Sequence, residues 1–173
     1  MEERLPLEYA ALGLLMRGPQ HGYQLHQDFV RYFGPIWHCG RSQFYAALKA
    51  LEAAGLVTSS LEPQEGRPPR HVLHITPAGQ QAFLEWLHAP VLSVRQMRVE
   101  FLSKLRLFDL LDLPGATALI EAQLAVCDER LARLETARRA GRANNFDELV
   151  YTFRKGQLEA VRSWLEQCRR RYT

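Results

Sequence analysis

Arg41, Tyr45 and Lys49 recur every four residues, with Ser42 and Gln43 beside the first of them. At helical spacing Arg41, Tyr45, Lys49 and Glu52 form one stripe, and three of these four end in a group that can donate a hydrogen bond. Donors gathered on one face, with the small Ala46 among them to permit close approach, suit phosphate oxygens and base edges. The opposite face of the same stretch, Phe44, Leu48 and Leu51, is apolar and packs inward. Gly40 is placed to cap the helix. That puts Arg41, Ser42 and Gln43 in its first turn, where helix-turn-helix side chains reach bases, and leaves Tyr45 and Lys49 better placed for phosphates.

The flanking segments must hold that helix. Gly55 stops it, and Leu56 to Leu61 alternates as a strand does. Glu62 to Pro69 is a turn-rich run that cannot continue a strand, and Arg70 to Thr76 resumes strand character, with Val72 and His74 on one face and Leu73 and Ile75 on the other. Arg67 and Arg70 flank Pro68-Pro69, a stiff loop that holds two cations apart for a DNA backbone or minor groove; an ordinary solvated hairpin tip is the alternative. Upstream, Leu7 to Arg17 forms a first helix with Tyr9, Leu12, Leu15 and Met16 inward, ended by Gly18-Pro19. Gln20-His21-Gly22-Tyr23 opens a second that runs to Phe33, with Tyr23, Val30 and Phe33 inward. The free N–H groups of its first turn suit a phosphate, with His21 and Tyr23 as added donors, unless both rings simply fix the turn. Trp37 packs in the corner before the third helix. Helix, strand, basic loop and strand together make a winged helix.

Four tracts in this order carry a resemblance: LEYAALGLL at 7–15, HGYQL at 21–25, FYAALKALEAAGLV at 44–57 and GRPPRHVLHITPAG at 66–79. They resemble the successive motifs of the PadR family of bacterial transcriptional regulators, and VEFLSKLRLF at 99–108 resembles the start of that family's carboxy-terminal domain. One departure is His71-Val72, where members commonly carry an aromatic pair. The resemblance implies a repressor of transcription that pairs through carboxy-terminal helices and responds to phenolic acids, drugs or other signals.

The composition is compatible with this reading and argues against others. With 173 residues, 47% of them hydrophobic and 24% charged, the chain suits an ordinary globular protein, and the sequence has no apolar run near the length of a membrane span. The expectation is a cytoplasmic protein without a membrane partner. Cys39, Cys127 and Cys168 are far apart and show no CxxC spacing, so reduced thiols are expected. His38-Cys39 lacks the spacing of a metal site, so neither a metal nor another cofactor is expected. No GxSxG, phosphate-binding glycine loop or HExxH is present, so no catalytic set is expected. The net charge is +3, but residues 1–90 hold seven Lys or Arg against eight Asp or Glu. DNA binding therefore rests on where the cations lie, and a winged helix that binds a protein instead of DNA is the rival reading.

Thr76-Pro77 caps and opens a fourth helix through His88, with Phe83, Trp86 and Leu87 inward. The segment from Val91 to Gln96 marks the expected boundary, giving a winged helix-turn-helix DNA-binding domain at 1–90 and an all-α dimerisation domain at 91–173. Helices are expected from Gln96 to Leu111, Pro114 to Ala140 and Phe146 to Arg171. In the middle one Ile120, Leu124, Cys127, Leu131 and Leu134 form a coiled-coil seam. At roughly 40 Å it is too long for one small domain to bury. In the last helix, opened by a capping box of Asn145 and Glu148, Phe153, Val161 and Trp164 lie on one apolar face and Tyr151, Leu158 and Leu165 add a second. The expected assembly is a homodimer presenting two recognition helices to a pseudo-palindromic site on double-stranded DNA. A small-molecule effector would lie between the two domains, with Trp86, Phe153 and Trp164 lining an apolar space, unless each of the three serves core packing, the reading favoured for all of them.

Overall fold

The computed structural model describes residues 6–64, 67–140 and 144–172, with the backbone alone at 63, 64 and 67–69. It divides into two compact units, one of residues 1–87 with 99–114 and the other of residues 88–98 with 115–173. This differs from a single boundary after residue 90. The tract expected to open the carboxy-terminal domain, α6 (Leu102–Leu111), returns to the first unit and buries Leu105, Leu107 and Phe108 there. The close approach needs Gly13, since a Cβ at that position would lie 2.4 Å from Leu107 and 2.8 Å from Phe83.

In the first unit α1 (Pro6–Leu15) is apolar almost all round and buried along its length, as a central helix must be. Around it lie α2 (Gly22–Phe33), α3 (Arg41–Ala53) and α4 (Pro77–His88). The expected inward face of α2 is corrected. Tyr23 and Val30 are 58% and 50% exposed, while Leu25, Phe29 and Phe33, four residues apart, are buried. Phe29 stacks on Phe33 and meets Phe44 and Trp37, so an aromatic cluster joins α2 to α3. Thr76 caps α4 as expected, accepting from the Gly79 N–H at 3.1 Å and donating to the Gly55 carbonyl at 2.8 Å.

The sheet has three strands in the order β1-β3-β2, where β1 is Gln20–His21, β2 is Val57–Gln64 and β3 is Arg67–Ile75. Gln20 and His21 therefore do not open α2 by joining it. They pair antiparallel with Leu73 and Val72, and His21 is the extended N-cap of α2. Nor does the proline run end the strands. Pairing continues past Glu62↔Arg70 to Gln64↔Arg67, and the irregularity between these pairs takes in Pro63, Pro68 and Pro69, which have no N–H to give a ladder.

In the second unit α5 (Val94–Gln96) precedes a π-helical turn, Met97–Phe101, which runs across the division. Helices α7 (Ala116–Ala140) and α8 (Asn145–Tyr172) form an antiparallel hairpin, tied by Arg162 to Asp128 at 2.7 Å, Lys155 to Glu135 at 3.1 Å and Tyr151 to Glu135. The buried Gln123 side chain holds the Val91 peptide from both sides, at 2.7 and 2.9 Å. The capping box of α8 is one residue earlier than expected: Asn144 accepts from the N–H groups of Phe146 and Asp147, and Asp147 reaches back to Asn144. Among the described residues no helix is long and apolar enough to cross a membrane.

Candidate nucleic-acid interface

Helix α3 separates its two faces as its sequence requires. Phe44, Ala47, Leu48 and Leu51 are buried, and Arg41, Ser42, Gln43, Tyr45 and Lys49 are all exposed. Gly40 is its N-cap, with extended backbone, so Arg41 begins the first turn. The Cys39 thiol donates to Gln43 Oε1 at 3.5 Å, a contact between the residue before the cap and the first turn that spacing did not reveal.

The first turn of α2 lies beside this face. A Cβ at Gly22 would sit 3.1 Å from Tyr45 Cε1 and 3.7 Å from its hydroxyl, so the Tyr45 ring rests against the N-terminus of α2 only because residue 22 has no side chain. His21 Nδ1 lies 3.2 Å from the His71 carbonyl oxygen. A carbonyl only accepts, so Nδ1 carries the proton and Nε2 is left free of that bond. Tyr23 is exposed rather than packed, and its hydroxyl accepts from Gln27 at 2.9 Å.

The base of the wing closes the same region. His21, Tyr23, Gln24, Arg70 and His71 line a cavity of about 400 Å³, with no carboxylate among the described residues of its lining. The structure thus brings His21, Tyr23 and Arg70 together, and adds Gln24 and His71, which the sequence reading did not single out. Pairing of β1 with β3 is the cause, because it sets the start of α2 against residues 71–73. Arg70 stands opposite Glu62 in the ladder, so one cation of the wing has an acidic cross-strand neighbour. The Arg67 side chain lies outside the described residues.

The residues expected to pair two chains divide differently. Ile120, Leu124 and Cys127 are buried inside the second unit, where the chain's own α8 supplies Tyr151, Leu158 and Leu165 at seven-residue spacing. The seam is used within the protomer, which corrects the expectation that these three face a second copy. Burial also pushes the Cys127 thiol up from its ordinary pKa. Leu131, Leu134, Val161 and Trp164 are half-buried, and Phe153 is 65% exposed, as are its neighbours Phe146 and Leu149 at 70% and 65%. Trp86 takes the packing role favoured for it. It stacks on Tyr9 with ring centroids 4.7 Å apart, donates to Glu100 at 2.9 Å and lies under the buried Lys104 ammonium, all within the first unit. Burial holds Lys104 below the usual lysine pKa, against the opposing pull of Glu100 at 3.2 Å.

Comparison with known proteins gives consistent matches. The sequence model of the transcriptional regulator PadR-like family matches residues 11–85, and that of the virulence activator alpha C-terminal family matches residues 97–173. The chain is 30% identical over 131 residues to the negative transcriptional regulator PadR of Bacillus subtilis, a match covering 75% of this chain and 71% of that protein. It is 29% identical over 140 residues to a probable transcriptional regulator of Mycobacterium tuberculosis, covering 78% and 74%. Among solved structures, Bacillus subtilis PadR in complex with operator DNA is similar with a TM-score of 0.48 and 27% identity, covering 96% of this chain and 98% of that one.

Proposed function

Because the chain belongs to the PadR-like family of transcriptional regulators, we propose that it represses transcription in the cytoplasm by binding a pseudo-palindromic operator as a homodimer. The observation that carries the DNA contact is the stripe of Arg41, Tyr45 and Lys49. It stays solvent-facing on a helix whose other side is fully buried, and Tyr45 extends it to the first turn of α2. Arg41, Ser42 and Gln43 read base edges, Tyr45 and Lys49 hold phosphates, and His21, Tyr23 and Arg70 meet the backbone alongside, with Arg67 on the wing.

The second copy covers Phe146, Leu149 and Phe153, which follow a helical stripe and stand exposed on α8. The half-buried Leu131, Leu134, Val161 and Trp164 are available at the margins of that contact. The repressor reading follows the name of the Bacillus subtilis relative, a negative regulator.

Fluorescence anisotropy against DNA from upstream of the gene and a scrambled duplex tests the contact. The expected result is specific binding at least about a thousandfold tighter, the lower end for sequence-specific proteins, with loss on Arg41→Ala. Equal weak binding to the upstream duplex, the scrambled duplex and a randomised DNA pool would reject the reading and favour a protein partner. Sedimentation of Leu149→Asp should give a folded monomer; an unchanged dimer would remove α8 from the interface.

A further inference from the structure

Given the DNA contact proposed above, on which this step rests, we infer that the cavity at the base of the wing takes one phosphate of the DNA backbone and that His21 meets it as the protonated imidazole. The cavity lies wholly within the first unit. Its lining joins the turn that opens α2, through His21, Tyr23 and Gln24, to Arg70 and His71 of β3. The pairing of β1 with β3 holds these two parts together, with His21 opposite Val72 in the ladder.

The orientation of the His21 ring limits what it can offer a phosphate. Its Nδ1 donates to the His71 carbonyl oxygen at 3.2 Å. In the neutral ring Nε2 is then a lone pair, which repels a phosphate oxygen; in the protonated ring it is a second donor and carries positive charge. Arg70 attracts the phosphate without a proton, because a guanidinium stays charged at any pH near neutrality. His21 can join it only by holding one. The other titratable groups around the ring are the His71 imidazole, the Tyr23 phenol, which accepts from Gln27 at 2.9 Å, and the Tyr45 phenol against Gly22. Two carboxylates lie nearby on these elements: Asp28, which accepts from Gln24 Nε2 at 3.1 Å, and Glu62, opposite Arg70 in the ladder. Neither is in the lining. The negative charge that answers a protonated His21 therefore comes from the DNA, which makes binding and protonation favour each other.

Anisotropy titrations of the full-length protein between about pH 6 and 8 at fixed ionic strength test this. The upstream duplex and a mixed-sequence duplex are both used, since a phosphate contact does not depend on base sequence. Binding that takes up a proton weakens as pH rises, so affinity should fall on both duplexes by about tenfold per subunit, the scale of one charge-assisted contact. His21→Gln, neutral throughout, should lose this pH dependence. His21→Arg, charged throughout, should lose it too and keep at pH 8 about the affinity that the parent has at pH 6. His71→Gln retains the backbone carbonyl that orients His21 and should keep the parent's dependence. Calorimetric titration in two buffers of different ionisation enthalpy counts the protons directly: up to about one per subunit in the parent and none in His21→Gln. A flat parent profile, a dependence that survives in His21→Gln, or one lost in His71→Gln overturns the inference and leaves the DNA contact standing. Absence of binding to either duplex at every pH overturns both.

Discussion

The recognition face of the first unit and the α7–α8 hairpin of the second spend opposite kinds of side chain. In the first unit Phe29, Phe33 and Phe44 are buried against one another, and what faces outward on the recognition helix α3 is mostly polar. On the hairpin several charges pair with one another, and among the large side chains left outside are Phe146, Leu149 and Phe153. An unpaired polar face suits a polar ligand such as DNA, and an unpaired apolar face suits a protein surface. The proposed DNA contact therefore belongs on α3 and the proposed second copy on the hairpin.

The largest effect should separate these two kinds of aromatic. Phe29→Ala removes a ring that is 1% exposed and in contact with three other aromatics, and should cost about 3–5 kcal/mol in urea unfolding. That loss should not depend on protein concentration. Phe153→Ala removes a ring that is 65% exposed, so its loss should act through association and grow on dilution. Two losses equally indifferent to concentration would erase the distinction.

The face of α3 was legible because its period sorts large apolar from polar residues without overlap. The face of α2 was not, since Tyr23 and Val30 are apolar enough to pass for core and only the aromatic cluster decides the phase. A two-residue strand such as Gln20–His21 has no periodicity to read, and the cavity formed by its pairing was hidden with it. On α7 the spacing of Ile120, Leu124 and Cys127 truly marked a seam. A seam states that something packs there and not whether the partner is the same chain. Distance in sequence hid α8 as the answer.

Within the recognition face, Arg41 and Lys49 should fail differently. Arg41→Ala should cost about 1–3 kcal/mol of operator binding and relax the preference at one base pair. Lys49→Ala should weaken all duplexes alike and lower the slope of log affinity against log salt by about one. Anisotropy titrations at several salt concentrations distinguish them, and identical behaviour would refute the division of α3 into a base-reading first turn and a phosphate-holding remainder.

A smaller effect is expected at Gly22, where function and stability should part. Alanine is favoured over glycine inside a helix, so Gly22→Ala should leave thermal stability equal or slightly higher. Its Cβ, at 3.1 Å from the Tyr45 ring, must nonetheless move the hydroxyl by a few tenths of an ångström. Operator affinity should fall by about fivefold, the scale of one hydrogen bond. In a Tyr45→Phe background the same substitution should change nothing further. A full additional loss there would place the effect on the backbone of α2 and not on Tyr45.

The smallest effect belongs to the hairpin's own charges and gives the second unit a pH dependence. Glu135 accepts from the Tyr151 hydroxyl and from Lys155, and these bonds hold its carboxyl below the usual glutamate range. The same contacts hold Lys155 above the usual lysine range. A carboxyl lowered on folding contributes stability that is complete above its unfolded value of about 4.3 and is lost as pH falls through the folded one. An ammonium raised on folding contributes stability that is complete below its unfolded value of about 10.4 and is lost as pH rises through the folded one. The contribution is therefore full between those limits and fades outside both. Solvent keeps it small, because the two side chains are 38% and 34% exposed. Urea midpoints of Glu135→Gln should lie below the parent between about pH 5 and 9 and converge with it below about pH 4. A difference that persists in acid would mean that Glu135 matters through packing, and the hairpin's charges would then be no more self-sufficient than those of α3.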